Sequence, residues 1–184
     1  LLASSAASDV YKRQTHNFAI STLQILKKAV YLPPEKQRTE MESFYRTHAY
    51  LVEHTNAPVR RDLMDEIDWS DRLIGIKGTR GVGKTTFLLQ YAKEKFGTDR
   101  SCLFINMNNF YFSGHSIVDF ANEFQKRGGK VLLIDQVFKH PEWSKELRMC
   151  YDRYPNLKIV FTGSSVMRLK EENLELRDIA KSYN

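Results

Sequence analysis

Two patterns of apolar and polar positions alternate along the chain and predict an alternation of strands and helices. Short apolar runs bounded by glycine or polar residues are typical of buried strands. Four such runs occur, at residues 71–77, 101–107, 130–135 and 157–163. Before and between these runs, apolar residues recur at the three- and four-residue spacing of an amphipathic helix. The predicted helices cover residues 41–54, 60–67, 86–93, 116–125 and 143–154.

The order of these elements predicts the fold class. Continuous apolar strands that alternate with helices indicate a parallel sheet covered by helices on both faces. We therefore predict an α/β domain of three layers, αβα, with a four-stranded parallel sheet. The strands should end along one edge at Lys77, Met107, Asp135 and Gly163. Ligands of such sheets bind at the carboxyl ends of the strands.

A complete G-x-x-x-x-G-K-[ST] motif lies between the first predicted strand and the next helix. With the residue that follows it, the motif consists of Gly78, Thr79, Arg80, Gly81, Val82, Gly83, Lys84, Thr85 and Thr86. Its strand–loop–helix context is the one that a phosphate-binding loop requires. Glycines let successive backbone N–H groups turn inward around phosphate, with a helix N-terminus behind them. Lys84 should reach the terminal phosphates and Thr85 should ligate Mg²⁺, so the expected ligands are ATP and Mg²⁺.

The third predicted strand ends in a carboxylate, Asp135, next to the phosphate loop. We expect Asp135 to hold Mg²⁺ through water, as in the ATPase branch of P-loop proteins. In that branch the next residue is normally Glu, the base that polarises the attacking water, but here it is Gln136. An amide can orient water and cannot accept its proton, so Gln136 predicts weak hydrolysis. Alternatively, Gln136 is a sequencing error, because Gln and Glu codons differ by one base.

The fourth predicted strand ends in polar residues, Thr162-Gly163-Ser164-Ser165. A polar side chain at the end of the strand beside the acidic one is suited to sense the γ-phosphate. We select Ser164 for this role, with Ser165 as the neighbouring candidate. Serine and threonine after a buried strand are also ordinary helix N-caps.

Composition narrows the class of protein. Among the 184 residues, 42% are hydrophobic and 27% are charged, which is ordinary for a globular protein. No apolar run approaches the ~20 residues of a membrane span, so no membrane association is predicted. Cys102 and Cys150 lie far apart without metal-site spacing, which indicates free thiols in a reducing cytoplasm.

The net charge of +6 does not by itself indicate a nucleic-acid partner. Residues 1–40 carry +3 of it, and the other 144 residues contain no lysine- and arginine-rich block with interleaved aromatics. A dedicated nucleic-acid surface is therefore not predicted, while non-specific contact stays open.

The beginning of the chain differs in character from the rest. Residues 1–14 resemble translated sequencing-adapter sequence, and the first methionine is Met41. We expect residues 1–40 to be a non-native or disordered leader outside the fold, and residues 41–184 to be the domain. The stretch 15–40 is interpreted either as a native helix or as translated upstream sequence.

The chain resembles a family of bacterial and archaeal AAA+-type ATPases in the order of three features. These features are the phosphate loop, the segment Leu133-Ile134-Asp135-Gln136 with Trp143 opening the next helix, and the strand end Thr162–Ser165. The resemblance covers residues 71–169. It implies an ATP-binding AAA+-like core, commonly followed by a winged-helix segment and a nuclease-like C-terminal domain. It also implies that Lys84 and Thr85 hold phosphate and Mg²⁺, and that Asp135 is the acidic residue.

Two departures from this family pattern affect the predicted function. Gln136 replaces Glu, and the chain ends at Asn184, so we expect a C-terminally truncated core without its last strand and lid. The main hypothesis is a Mg·ATP hydrolase, with self-association or a protein partner through the missing region. The alternative is a nucleotide-gated interaction module that binds ATP without appreciable turnover. A small-molecule P-loop kinase fits less well, because no arginine-rich lid segment follows Asp135.

Overall fold

The computed structural model of the chain describes residues 34–163 and 174–183. The chain divides into two units, Leu1–Glu40 and Met41–Asn184, and all the elements except the start of the first helix lie in the second unit. In chain order the elements are α1 (Pro34–His54), α2 (Leu63–Glu66), β1 (Leu73–Lys77), α3 (Lys84–Lys95), β2 (Cys102–Asn106), α4 (Ile117–Lys126), β3 (Val131–Asp135), α5 (Trp143–Arg153), β4 (Lys158–Gly163) and β5 (Lys181–Tyr183). Short 3₁₀ helices cover Phe110–Ser113, Val137–Lys139 and Leu174–Leu176.

The strands form one sheet, in the order β2-β3-β4-β1-β5, and every pair is parallel. This confirms the predicted α/β fold with a parallel sheet. Strand β4 separates β1, which leads into the phosphate loop, from β3, which ends in Asp135. Lys77 pairs with Gly163 and Asn106 pairs with Asp135, so the carboxyl ends of these strands lie along one edge.

The predicted number of strands is wrong, because the sheet has a fifth strand where the sequence analysis expected the last strand to be missing. Strand β5 pairs with β1, so that Ile74 to Ile76 lie opposite Lys181 to Tyr183. Its three residues include no apolar run, and two of them are exposed. Such a strand is defined by the neighbour that it pairs with, and its own sequence pattern does not reveal it.

Several helix and strand ends also differ from the predicted ones. Helix α1 begins at Pro34 rather than at residue 41, and proline is well suited to the first turn of a helix. The second predicted helix is a single turn, Leu63–Glu66. Strand β2 ends at Asn106, one residue before the predicted end. Helix α3 begins within the motif itself, at Lys84.

The hydrophobic core consists of one cluster on each face of the sheet, as the alternation of side chains along a strand requires. Helix α3 packs on one face, and helices α4 and α5 pack on the other. Strands β3 and β4 contribute to both clusters, and the buried residues that they share between them include Leu132, Leu133, Ile134, Ile159, Val160 and Phe161. The sheet is therefore covered on both faces, and its carboxyl-terminal edge carries the residues that follow each strand.

Two further features of the described chain are the character of its helices and the state of its cysteines. None of its helices combines the length and the apolar character that crossing a membrane would require. Cys102 and Cys150 are buried free thiols. Burial raises the pKa of each thiol to about 12, so neither has the thiolate character of a reactive cysteine.

Candidate nucleotide site

The phosphate loop connects β1 to α3 and has the backbone that its glycines permit. Gly81 and Gly83 have φ angles of +87° and +84°, in the left-handed region that side chains disfavour. Gly83 is the N-cap of α3, and its carbonyl accepts from Phe87 N at 2.9 Å. The loop therefore delivers its last residues directly to a helix N-terminus, where backbone N–H groups lack intrahelical partners.

Lys84 is folded back over the loop. Its Nζ donates to the carbonyl of Gly78 at 2.9 Å and to that of Thr79 at 2.6 Å. Burial lowers the pKa of Lys84, and the charge of Asp135 opposes this effect. The ammonium group thus lies inside the loop, held by two neutral carbonyls that a phosphate oxygen could replace as its partner.

Asp135 is the centre of a hydrogen-bond network at the end of β3, where its side chain is almost completely buried. Its Oδ2 accepts from Thr85 Oγ1 at 2.8 Å and from Asn106 Nδ2 at 2.9 Å. Its Oδ1 accepts from Thr162 Oγ1 at 2.6 Å. The three donors come from α3, β2 and β4, so the orientation of this carboxylate is set by three separate elements.

The side chains at the start of α3 and at the end of β3 fit a magnesium ion. Among the described residues there is no cluster of three or more His, Cys, Asp or Glu side chains that could hold a metal alone. Mg²⁺ in nucleotide sites takes one or two protein oxygens and completes its shell with phosphate and water. The Thr85 hydroxyl is such an oxygen, and the Asp135 carboxylate, 2.8 Å from it, would hold the ion through water.

Gln136 follows Asp135 in an unusual backbone conformation, with φ +54° and ψ +46°. Its N–H donates to Thr162 Oγ1 at 3.1 Å, and its Oε1 accepts from Asn108 Nδ2 at 3.0 Å. A left-handed backbone at a residue other than glycine costs about 1–3 kcal/mol and is concentrated at functional sites. Thr162 therefore holds the backbone of Gln136 at the edge of the site, and Asn108 holds its side-chain amide.

The loop and the acidic strand border one cleft of about 580 Å³, a size typical of small-molecule sites. It is lined by Arg80, Gly81, Gly83, Lys84, Thr85, Thr86, Asn108, Asp135, Gln136, Phe138 and Lys139. Three of these side chains are cationic and one is a carboxylate. The cleft thus combines inward-facing backbone with an excess of positive charge, which suits a polyphosphate.

The structure brings most of the predicted site residues together. Six of the nine residues from Gly78 to Thr86 line the cleft, as do Asp135 and Gln136. The other three residues of the motif contribute carbonyl groups: those of Gly78 and Thr79 accept from Lys84, and that of Val82 accepts from Arg61. Ser164 and Ser165 lie outside the described residues. Within the described part, the fourth strand presents Thr162 to Asp135.

Sequence reasoning missed Asn106, Asn108 and Lys139. Asn106 is the last residue of β2 and lies beside Asp135 in the sheet. A polar residue one position before the predicted end of this strand, Met107, was therefore a usable signal for Asn106. No sequence signal indicated Asn108 or Lys139, which lie in the segments after β2 and β3.

The parallel αβα fold, with a phosphate loop after β1 and an acidic residue at the end of β3, defines a P-loop NTPase with an AAA+-like arrangement. A family model described as AAA domain, AAA_14, matches residues 70–183. This match covers more than half of the chain and includes the phosphate loop and Asp135. The chain therefore belongs to the AAA_14 family, and its domain is an ATPase-type core.

Two solved structures are similar to the chain at low identity. PCH-2 of C. elegans is 17% identical with a TM-score of 0.43, over 84% of this chain and 44% of that one. Trip13 of Rhizobiales is 15% identical with a TM-score of 0.40, over 83% of this chain and 67% of that one. The chain thus spans less than half the length of PCH-2. A search of curated proteins found no match.

Proposed function

We propose that the chain binds Mg·ATP in this cleft and hydrolyses it slowly, as an AAA+-type ATPase core. The observation that carries the proposal is the 2.8 Å contact between Thr85 Oγ1 and Asp135 Oδ2. It joins the end of the phosphate loop to the end of the acidic strand, so a Mg²⁺ ion held by the Thr85 hydroxyl would lie within reach of Asp135 through water. A phosphate chain bound at the N-terminus of α3 would supply the remaining charged ligands of that ion.

The charges lining the cleft support a polyphosphate ligand. Arg80 and Lys139 line the cleft, and the Lys84 ammonium contacts the loop carbonyls. Replacing two neutral carbonyl partners of Lys84 by phosphate oxygens gives stronger, charge-assisted hydrogen bonds. ATP binding would therefore release the Lys84 ammonium from the loop and engage it with the terminal phosphates.

Slow hydrolysis follows from the residue after Asp135. Gln136 is held at the cleft by Asn108 and Thr162, where it can donate a hydrogen bond to water or accept one from it. It cannot take up the proton that an attacking water must lose. The second candidate function, a nucleotide-gated interaction module, is favoured by this same feature, and measured turnover separates the two.

Titration with a fluorescent ATP analogue tests nucleotide binding. Changing Lys84→Ala removes the ammonium among the β- and γ-phosphate oxygens, so affinity for Mg·ATP should fall tenfold or more, about 1.4 kcal/mol or above. Lys95→Ala is the matched control, because Lys95 is an exposed lysine at the other end of α3. It should bind like the unchanged protein.

Equal affinity for Mg·ATP in the Lys84→Ala protein and the unchanged protein would remove the nucleotide-site proposal. An equal loss in both lysine variants would show a general charge effect and would also count against it. The other sequence-based expectations stay predictions: a cytoplasmic location, a leader over residues 1–40, self-association or a protein partner, and the subfamily with a nuclease-like C-terminal domain.

A further inference from the structure

An arginine from outside the motif contacts the phosphate loop. Arg61 lies just before α2, and its Nη2 donates to the carbonyl of Val82. A Cβ atom added to Gly83 would lie 2.8 Å from the same Nη2. Glycine at position 83 is favoured by its positive φ angle, and the guanidinium occupies the space next to it where a side chain would begin.

The backbone of Arg61 is fixed relative to the helix that follows the loop. Its carbonyl accepts from Met64 N at 3.0 Å, and the carbonyl of Met64 accepts from Trp69 Nε1 at 2.8 Å. The Trp69 ring stacks on Tyr91 of α3, with 3.7 Å between ring centroids. The backbone of Arg61 is therefore carried by a segment that is packed on α3, the helix that begins at the end of the phosphate loop.

Arg61 differs from its neighbour in its partners. Arg60 forms ion pairs with Asp65 and Glu94. Within the described residues, Arg61 forms no ion pair, and its side-chain hydrogen bond goes to the Val82 carbonyl. The Arg61 guanidinium therefore adds positive potential beside the phosphate loop, because it donates to a backbone carbonyl and no carboxylate of the described residues neutralises its charge.

The geometry of one peptide bond connects this contact to the ligand. The described chain has no cis peptide bonds, so the Val82 C=O and the Gly83 N–H lie in one peptide plane and point in opposite directions within it. Gly83 lines the cleft and Arg61 does not. Among the described residues, the Gly83 N–H donates to no backbone carbonyl. The hydrogen bond from Arg61 holds the Val82 carbonyl on the side away from the cleft, so the Gly83 N–H stays available on the cleft side.

We infer that Arg61 is a positioning residue for nucleotide binding: it holds the Val82–Gly83 peptide so that the Gly83 N–H faces the phosphates. The inference rests on the proposed function of the cleft. Because the contact acts on a phosphate-binding N–H, it affects any polyphosphate equally, whether or not a nucleoside is attached. The guanidinium also polarises this peptide, which strengthens the N–H as a donor.

Calorimetric titration with Mg·ATP and with Mg²⁺ and inorganic tripolyphosphate tests the inference. Arg61→Met keeps the length of the side chain and removes its donors and charge. It should weaken binding of both ligands by the same factor, about three- to tenfold, with unchanged stoichiometry. Arg60→Met is the matched control, since it removes the same charge from the same segment, and it should bind both ligands within about twofold of the unchanged protein.

Three results would overturn the inference. Unchanged affinity in Arg61→Met would show that the loop needs no external support. A loss for ATP with normal tripolyphosphate binding would place Arg61 on the nucleoside. Lower stoichiometry at normal affinity would mean that the change only reduces the folded fraction. Failure of the proposed function is distinguishable, because Lys84→Ala would then bind both ligands like the unchanged protein.

Discussion

At the residue scale, the side chain of Thr162 connects Asp135 to Gln136. Its hydroxyl donates to Asp135 Oδ1 at 2.6 Å and accepts from the backbone N–H of Gln136 at 3.1 Å. The left-handed backbone of Gln136 is thus supported by a side chain of the adjacent strand. Thr162 consequently holds the Asp135 carboxylate and the backbone of Gln136 in one arrangement.

The first prediction at this scale concerns catalytic rate. Gln136→Glu should raise ATP turnover by ~10²–10⁴-fold, the usual contribution of a general base. The two side chains have nearly the same shape, and Asn108 Nδ2 can donate to a carboxylate oxygen as it donates to Gln136 Oε1. Steady-state phosphate release from the variant and from the unchanged chain measures the difference.

Affinity for Mg·ATP is the control, and it should stay nearly unchanged because Lys84, Thr85 and Asp135 are intact. Equal and appreciable turnover in the two proteins would show that another residue supplies the base. The assignment of Gln136 would then be wrong, while nucleotide binding itself would be unaffected.

At the element scale, β1 occupies the position between β4 and β5 and leads directly into the phosphate loop. Gly75 lies in the middle of this strand, opposite Phe161 on β4 and Ser182 on β5. The Phe161 ring is fully buried and covers the place where a side chain at position 75 would lie. The absence of a side chain on Gly75 therefore allows the ring to pack against the strand.

The prediction at this scale concerns stability. A Cβ at position 75 would lie 2.9 Å from Cζ of Phe161, so Gly75→Ala should displace the ring and lower the free energy of unfolding by about 1–3 kcal/mol. Urea denaturation measures the change. Gly114→Ala is the control, because a Cβ there meets no atom within 4 Å and φ is −130°. It should change stability by less than about 0.5 kcal/mol.

A Gly75→Ala protein as stable as the Gly114→Ala protein would contradict this packing argument. It would show that Phe161 moves aside at no cost, and that the ring is not tightly held against β1.

At the scale of the whole molecule, His48 links α1 to the edge of the sheet. Among the described residues β2 is an edge strand, and Phe104 N donates to His48 Nδ1 at 3.0 Å. His48 is 1% exposed. Burial lowers its pKa below the ordinary value of 6.5, and the carbonyl of Gly97 acts in the opposite direction. Protonation of Nδ1 would remove the acceptor that Phe104 N uses.

Stability should consequently depend on pH in a definite direction. The unfolded chain binds a proton on His48 near pH 6.5, whereas the folded protein binds it only at lower pH. The unfolded state thus holds more protons below pH 6.5, and the free energy of unfolding should fall as pH falls from about 7 to 5, by at most about 1.4 kcal/mol per pH unit for one proton. Urea denaturation across this range measures the slope.

His48→Asn separates this residue from the other titrating groups. An asparagine oxygen can accept from Phe104 N and does not titrate, so the slope between pH 7 and 5 should become shallower in the variant. The same slope in the variant and in the unchanged protein would mean that other groups account for the pH dependence.

The amino-acid sequence by itself determined the phosphate loop, the acidic end of β3 and the parallel αβα class. These features depend on local rules: glycines at left-handed positions, a helix N-terminus after a strand, and apolar runs of strand length. Gly81, Gly83, Lys84 and Asp135 could therefore be identified without coordinates. The apolar runs located four strands, because each buries both of its faces.

Only the tertiary structure decided which side chains meet. The strand order β2-β3-β4-β1-β5 brings Asn106, Thr85 and Thr162 onto Asp135, although they lie 27 to 50 residues from it along the chain. The polar strand β5 and the contact of Arg61 with Val82 likewise have no local signature. Their positions follow from pairing and packing between distant segments, which a periodic pattern within one segment cannot encode.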